Sequence, residues 1–457
     1  MILEKPPIES TAVYASTIEA IAFGLADGRA HFVTGYPGFH AQEIIAAAGG
    51  ATSVNERTAY AMAWGAAFAG QRSAVVLKNV GLNDAADPFV NSMNLRTHAG
   101  MVVIVMDDVE VAGSQCRQDS RHYYDLAPGL WLEPISAAHA YDCARIAAAY
   151  SEELDVPVVI RLTNHALRSV GKFHRRESDE AVAKCRRTPV SSVAHPMNVG
   201  AQRTANDARA GRIGRFVENQ FTPALGAGHR TVAVGASVPG DSRDHCHVWT
   251  YPLPFDSLRA SVRTGDLVDV FESGSGFATE KIQAMLAARE VATTDESAGV
   301  DHSSGFRSSA RFESLFGAIR SFDNRIVVGD LGSYTMDPHR TIDACLCYGT
   351  SVATAIGCGI SAINTRVFCV AGDAAFLHSG KLAMEEAVSR GVDLTIVVID
   401  NGGAASTGGQ TIPVELAFPG AACVIRVDHD QTSKEIYRRL LGDLSQRPGV
   451  TVLHVKA

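Results

Sequence analysis

At 457 residues the chain is long enough for more than one hydrophobic core, because single cores stop growing at roughly 250–300 residues. Its 46% hydrophobic content and 41 glycines describe a folded α/β protein and exclude a disordered one. A formal charge of −8, spread without long runs of one sign, excludes a nucleic-acid footprint and a basic membrane-surface patch, so small-molecule chemistry is the default.

The opening segment, Met1-Ile2-Leu3-Glu4-Lys5-Pro6-Pro7, has neither the basic start nor the apolar run of a secretory signal, and a cytoplasmic location is the expectation. Next come near-continuous apolar runs at Ala74-Val75-Val76-Leu77, Met101 to Met106 and Pro157 to Leu162. Strands buried on both faces read this way, and the Ala-rich stretch from Glu56 to Gly70 between them reads as helix. These βαβ units predict a first parallel-sheet domain over 1–170. From 171 to 229 the chain turns polar and Arg-rich, with Arg175-Arg176, Arg186-Arg187, Arg203, Arg209, Arg212 and Arg215, which predicts an extended connector. A solvated linker or a helix crossing between domains explains these cations more simply than a phosphate-bearing partner. A smaller α/β unit follows over 230–300, with strands at Thr231-Val232-Ala233-Val234, His247 to Thr250 and Asp266 to Phe271.

The last domain, 301–457, has five strand runs: Arg325 to Val328, Val367 to Val370, Leu394 to Ile399, Cys423 to Val427 and Val450 to Val455. Ala344 to Ile363 carries no formal charge and would pass a crude membrane filter. Its Gly349, Gly357 and Gly359 argue instead for a close-packed interior helix, and no membrane span is expected. The nine cysteines show no iron–sulfur spacing, Cys345 and Cys347 being the only close pair, and read as free buried thiols.

Two of these strands end in potential metal ligands. Gly372-Asp373 closes one and Asp400-Asn401 closes the next, at the carboxyl ends where open α/β sheets bind ligands. A carboxylate and an amide carbonyl are the oxygen donors that Mg2+ prefers while it keeps phosphate oxygens in its shell. Gly372 lets the backbone approach closely. Two ordinary strand-to-loop turns are the alternative.

Flanking segments carry a resemblance. Gly35-Tyr36-Pro37-Gly38, Asn55-Glu56-Arg57-Thr58-Ala59-Tyr60 and Lys78-Asn79-Val80-Gly81 look like the α subunit of indolepyruvate ferredoxin oxidoreductase. So do Gln118 to Tyr124, Thr250-Tyr251-Pro252-Leu253-Pro254, Gly329 to Thr335, Cys345-Leu346-Cys347-Tyr348-Gly349 and Phe376 to Gly380. The resemblance implies three doubly wound parallel-sheet domains of the thiamin diphosphate-binding type. The first would hold the aminopyrimidine and the last the diphosphate, with a transketolase-C-like middle domain between them. It implies thiamin diphosphate and Mg2+ as cofactors, with the metal on Asp373, Asn401 and the Gly403 carbonyl, and the cofactor lined by Gly372 and by Ala374, where many members have glycine.

Glu56 is implied as the carboxyl group on the pyrimidine N1′, where a shared proton turns the 4′-imino group into a base; a helix-start glutamate is the plain alternative. Gly349, Thr350 and Ser351 open a helix whose backbone N–H groups can meet diphosphate oxygens. Tyr348 stands about where related enzymes place a bulky side chain beneath the cofactor, or is a core tyrosine. Arg121 is a candidate for a 2-oxo acid carboxylate, or a surface arginine. His378 and His40 are candidates for proton transfer, or satisfied structural histidines.

The family's α subunit continues into a cysteine-rich ferredoxin-like tail, whereas this chain ends at Ala457 after a strand. Asn79 replaces a family histidine, and Ser406-Thr407-Gly408-Gly409-Gln410 replaces Met-Thr-Gly-His-Gln, which is expected to leave room. These departures lead to the expectation of a non-oxidative decarboxylase of a 2-oxo acid of the arylpyruvate class that releases an aldehyde or ligates the acyl group to a carbonyl acceptor. An oxidoreductase subunit with a separate iron–sulfur partner is the alternative, and a non-catalytic relative the third reading. Because the family's cofactor commonly lies between domains of different subunits, the resemblance also implies a homodimer or a dimer of dimers.

Overall fold

The structure, a computed structural model, describes residues 12–112, 114–176, 192–194, 199–220, 231–235, 245–261, 269–272, 275–287 and 310–457. The apolar runs form the strands they predict. Ser73–Lys78, Met101–Asp107 and Val158–Thr163 lie side by side and parallel in a seven-stranded sheet. Phe32–Gly35 and Ala51–Thr52 extend it on one side, and Leu130–Leu132 on the other. Its outer strand comes from far along the chain: Thr250–Tyr251 pairs antiparallel with Leu130–Leu132. A middle-segment strand therefore closes the first sheet.

The C-terminal sheet is wholly parallel, in the spatial order Arg325–Gly329, Arg366–Gly372, Leu394–Asp400, Val450–Lys456 and Cys423–Asp428. Leu394 to Ile399 are all buried, as an apolar run covered on both faces requires. A third parallel sheet joins His245–Val248, Thr231–Val234 and Asp269–Phe271. Of the strand expected over 266–271, residues 266–268 lie outside the described residues. The α/β class with mainly parallel sheets is thus observed.

The stretch expected to be an extended connector contains regular structure. Val170–His174 pairs antiparallel with Ala12–Ser16, and Val199–Gln220 is a 22-residue helix. Its cations hold the helix and neighbouring strand to the first domain. Buried Arg209 donates to the Met93 carbonyl, Arg212 lies 3.3 Å from Asp155, and Arg175 donates to Asp27 at 2.5 Å. Arg186 and Arg187 lie outside the described residues.

The uncharged stretch 344–363 is helical only over Ser351–Ser361, and among the described residues no helix is long and apolar enough to cross a membrane. This helix crosses Glu56–Phe68 of the first domain, and glycines set how closely they meet. A Cβ at Gly65 would lie 2.1 Å from the Thr354 carbonyl oxygen, and one at Gly357 2.0 Å from that of Met62. Such separations are shorter than any non-bonded contact, so either methyl must push the helices apart. Gly65→Ala is expected to cost about 1–3 kcal/mol, read as a lower urea midpoint; an unchanged midpoint would show that the seam relaxes freely.

Candidate active site

Both halves of the proposed metal site come from one end of the C-terminal sheet. Gly372 pairs with Ile399, which puts Asp373 and Asn401 at the carboxyl ends of adjacent strands. A cavity of about 120 Å3 opens there, lined by Tyr348, Gly372, Asp373, Ala374, Asn401 and Gly403, with Tyr334 and Thr407 also on its wall. A water molecule's share of liquid is about 30 Å3, so the space has room for an ion and oxygen ligands.

The donor chemistry fits a hard cation. Asp373 accepts the Ala374 N–H at 2.8 Å, and the Asn401 side chain has no hydrogen-bond partner among the described residues. Burial, followed by the neighbouring Asp400 carboxylate, pushes the Asp373 carboxyl above its usual range. A divalent ion at this point would relieve the repulsion between those carboxylates. Gly403 has φ +152°, and a Cβ there would lie 2.3 Å from the Gln410 carbonyl oxygen, so its backbone lines the cavity without a side chain.

The helix at Ser351 presents its N-terminus differently from expectation. Asp330, which closes the strand Arg325–Gly329, accepts N–H bonds from Gly349 at 2.7 Å, Ser351 at 3.2 Å and Leu331 at 2.9 Å. The amides of Gly349 and Ser351 are therefore engaged by a buried carboxylate. The Thr350 hydroxyl donates to the Cys347 carbonyl at 2.7 Å, and neither Thr350 nor Ser351 lines the cavity. Desolvation pushes the Asp330 carboxyl up against these hydrogen bonds. Asp330→Asn turns one acceptor oxygen into a donor facing N–H groups, and is expected to cost about 1–3 kcal/mol. Hydrogen exchange of Ser351 to Ser361 should accelerate with it; unchanged protection would show that the carboxylate does not cap the helix.

Glu56 begins the helix Glu56–Phe68, which Asn55 caps by accepting the Thr58 N–H at 2.8 Å. Its carboxyl lies against Gly81, where a Cβ would stand 2.7 Å from Oε1. Burial and then Asp84 raise its pKa above the ordinary glutamate value. Glu56 does not line the Asp373 cavity, but Arg57 links the two regions: it donates to the Tyr348 carbonyl and pairs with Asp87 at 2.9 Å. The Tyr348 ring packs edge-on to His378 at 5.3 Å. The His378 Nδ1 meets the Ser379 hydroxyl at 2.6 Å, and burial, then Arg57, lowers its pKa and favours the neutral ring.

Residues 330–455 match the family described as thiamine pyrophosphate enzyme, C-terminal TPP binding domain. The chain resembles the thiamin diphosphate-dependent enzymes. The indolepyruvate oxidoreductase subunit IorA of Methanothermobacter thermautotrophicus is 26% identical over 429 aligned positions, covering 79% of this chain and 69% of that protein. The subunit of the same name from Archaeoglobus fulgidus is 23% identical over 483 positions, 89% and 77% of the two chains. Among solved structures, the thiamine diphosphate-dependent 4-hydroxybenzoylformate decarboxylase of Rhodococcus jostii RHA1 shares the fold with a TM-score of 0.53. It is 14% identical, over 97% of this chain and 99% of that one.

Two further candidates, Arg121 and His40, do not line the Asp373 cavity and are engaged within the fold. Arg121 is 0% exposed, and its guanidinium donates to Asp119 at 2.8 and 2.5 Å, to Glu272 at 2.8 Å and to the Tyr251 hydroxyl at 3.0 Å. It is a structural tie to the middle segment, and its fork is not open to a substrate carboxylate. His40 stands at φ +66° before the helix Ala41–Ala47, with Nδ1 on Glu43 at 2.9 Å and its ring 5.1 Å from Phe39. Nor does Asn79 open space, because it is buried and donates to Asp108 at 2.5 Å and to the Gln118 carbonyl.

Asp330, Arg57 and Gly81 were not assigned roles from sequence. Gly329-Asp330 repeats the strand-closing pair Gly372-Asp373, which was a usable signal for the first. The partners of Arg57 and Gly81 come from distant segments, and no local pattern identifies them.

Proposed function

We propose that the chain is a thiamin diphosphate- and Mg2+-dependent enzyme that decarboxylates a 2-oxo acid of the arylpyruvate class without net oxidation. In this reading it releases an aldehyde or joins the acyl group to a carbonyl acceptor. Asp373, Asn401 and the Gly403 carbonyl would hold the metal, with Gly372, Ala374 and Tyr348 around the cofactor. When bound, thiamin diphosphate supplies a nucleophilic carbon and an electron sink for the pair left behind by CO2. Glu56 would hold the proton at the pyrimidine N1′, and its raised pKa suits a carboxyl group that shares one.

The observation that carries the non-oxidative reading is His378. An aldehyde takes up one proton for each CO2 lost, and an imidazole beside Tyr348 whose neutral form is favoured by burial, backed by the Ser379 hydroxyl, is suited to relay it. The test is incubation of the purified protein with thiamin diphosphate, Mg2+ and arylpyruvates, with and without an aldehyde acceptor. Release of CO2 only when an electron acceptor is added would sink this reading.

A second reading is favoured by the relatives, which are named as subunits of an indolepyruvate oxidoreductase. In it this chain works with a separate iron–sulfur protein, and copurification of such a partner from the native source would support it. For both readings a homodimer or dimer of dimers is proposed, and sedimentation of the cofactor-loaded protein measures it.

A further inference from the structure

A second cavity, about 430 Å3 in volume, opens where the middle segment meets the first sheet. Its walls are Tyr124, Tyr251, Pro252, Leu253, Phe255 and Met285, and none of these lines the Asp373 cavity. The volume falls in the range of about 300–1,000 Å3 typical of small-molecule sites, which are mostly apolar with a few placed polar groups.

The polar groups are specific. Lys281 and Arg259 both line the cavity. Lys281 is already engaged, pairing with Asp125 at 2.6 Å and lying 4.8 Å over the Phe277 ring. Exposed Arg259, on the helix Phe255–Ser261, has no hydrogen-bond or ion-pair partner among the described residues. The Tyr124 hydroxyl also lacks one, whereas the Tyr251 hydroxyl accepts from Arg121. Arg121 is in turn fixed by Asp119 and Glu272, so the Tyr251 wall is held rigidly before any ligand arrives.

We propose that this cavity binds a small aromatic monocarboxylate, with its ring against the aromatic wall and its carboxylate on Arg259. Aromatic walls select a flat ring by edge and offset contacts. One unengaged guanidinium matches one carboxylate through its planar fork. A phosphate dianion is matched less well, because Asp125 offsets the charge of Lys281.

The probe is 3-phenylpropanoate, titrated calorimetrically into the full chain, with 3-phenylpropanamide as its uncharged counterpart. Saturable binding is expected with a Kd of roughly 0.1–1 mM. The amide, and the acid with Arg259→Gln, should each bind about tenfold more weakly. Ala284→Trp, at an exposed lining position on the helix Phe277–Ala287, should block the cavity and abolish binding. Asp373→Asn should bind the acid like the unaltered chain, because its change lies in the other cavity. The proposal is overturned by no saturable binding below about 10 mM, by equal affinity in Arg259→Gln, or by loss of binding in Asp373→Asn. The last outcome would place the ligand in the thiamin diphosphate cleft and leave the proposed reaction standing.

Discussion

A Glu56→Gln variant is expected to lower kcat for CO2 release by about 10²–10⁴-fold, the range a positioned proton-transfer group contributes. Cofactor affinity should change far less. The substitution keeps the shape of the side chain, the Asn55 cap and the close fit against Gly81, so the helix Glu56–Phe68 should start as before. What it removes is the ability to hold a proton in two states. Burial and the Asp84 carboxylate raise the Glu56 pKa, so its acid form persists closer to neutrality than in an ordinary glutamate. The variant's kcat is measured by CO2 release and its cofactor affinity by tryptophan quenching, with Trp64 on the same helix as reporter. Unchanged kcat would remove Glu56 from the chemistry.

Arg161→Met is expected to destabilise the protein by about 3–5 kcal/mol, the cost of deleting one side of a buried ion pair. Arg161 is 0% exposed in the strand Val158–Thr163. Its guanidinium meets Asp107 at 2.6 Å, Glu133 at 2.7 Å and Asp119 at 3.6 Å. Methionine fills much of the volume but leaves three carboxylates facing one another, with Arg121 as a neighbouring cation. Urea unfolding followed through buried Trp131 reads the loss, and adding Asp107→Leu should restore part of it by removing one stranded charge. A midpoint within error of the unaltered protein would mean that water or protonation already compensates the cluster.

This same cluster shows where sequence reading reached its limit. The C-terminal strands and the ends carrying Asp373 and Asn401 were legible, because strands buried on both faces must be apolar throughout and ligand-binding residues must interrupt them. Arg121 reads from sequence as a substrate-carboxylate candidate or a surface arginine, and the structure buries it in a network of hydrogen bonds. Asp119 is two residues away, but Glu272 and the Tyr251 hydroxyl that complete its shell come from the middle segment, and only folding brings them together. Leu130–Leu132 is too short to show a period. The uncharged stretch 344–363 looked like one long helix. Gly349 at φ +78° and the amides bound by Asp330 delay its start to Ser351. The polar composition of the connector left a solvated linker and a crossing helix both open. Its helix Val199–Gln220 buries a few well-spaced residues, Ile213, Phe216 and Val217 among them, and leaves others such as Asp207 and Arg215 exposed.

The glycine seam also bears on which variants of this chain could be selected for new substrates. Gly65 and Gly357 bring main chain against main chain, so a side chain added at either would meet backbone that cannot be trimmed by exchange. A randomised library at these two positions should return glycine almost alone. Diversity would accumulate instead at Leu331, Ala405 and Thr407, on the loops that border the Asp373 cavity. The inter-domain spacing is thus inherited as a fixed quantity, and adaptation is confined to the rim.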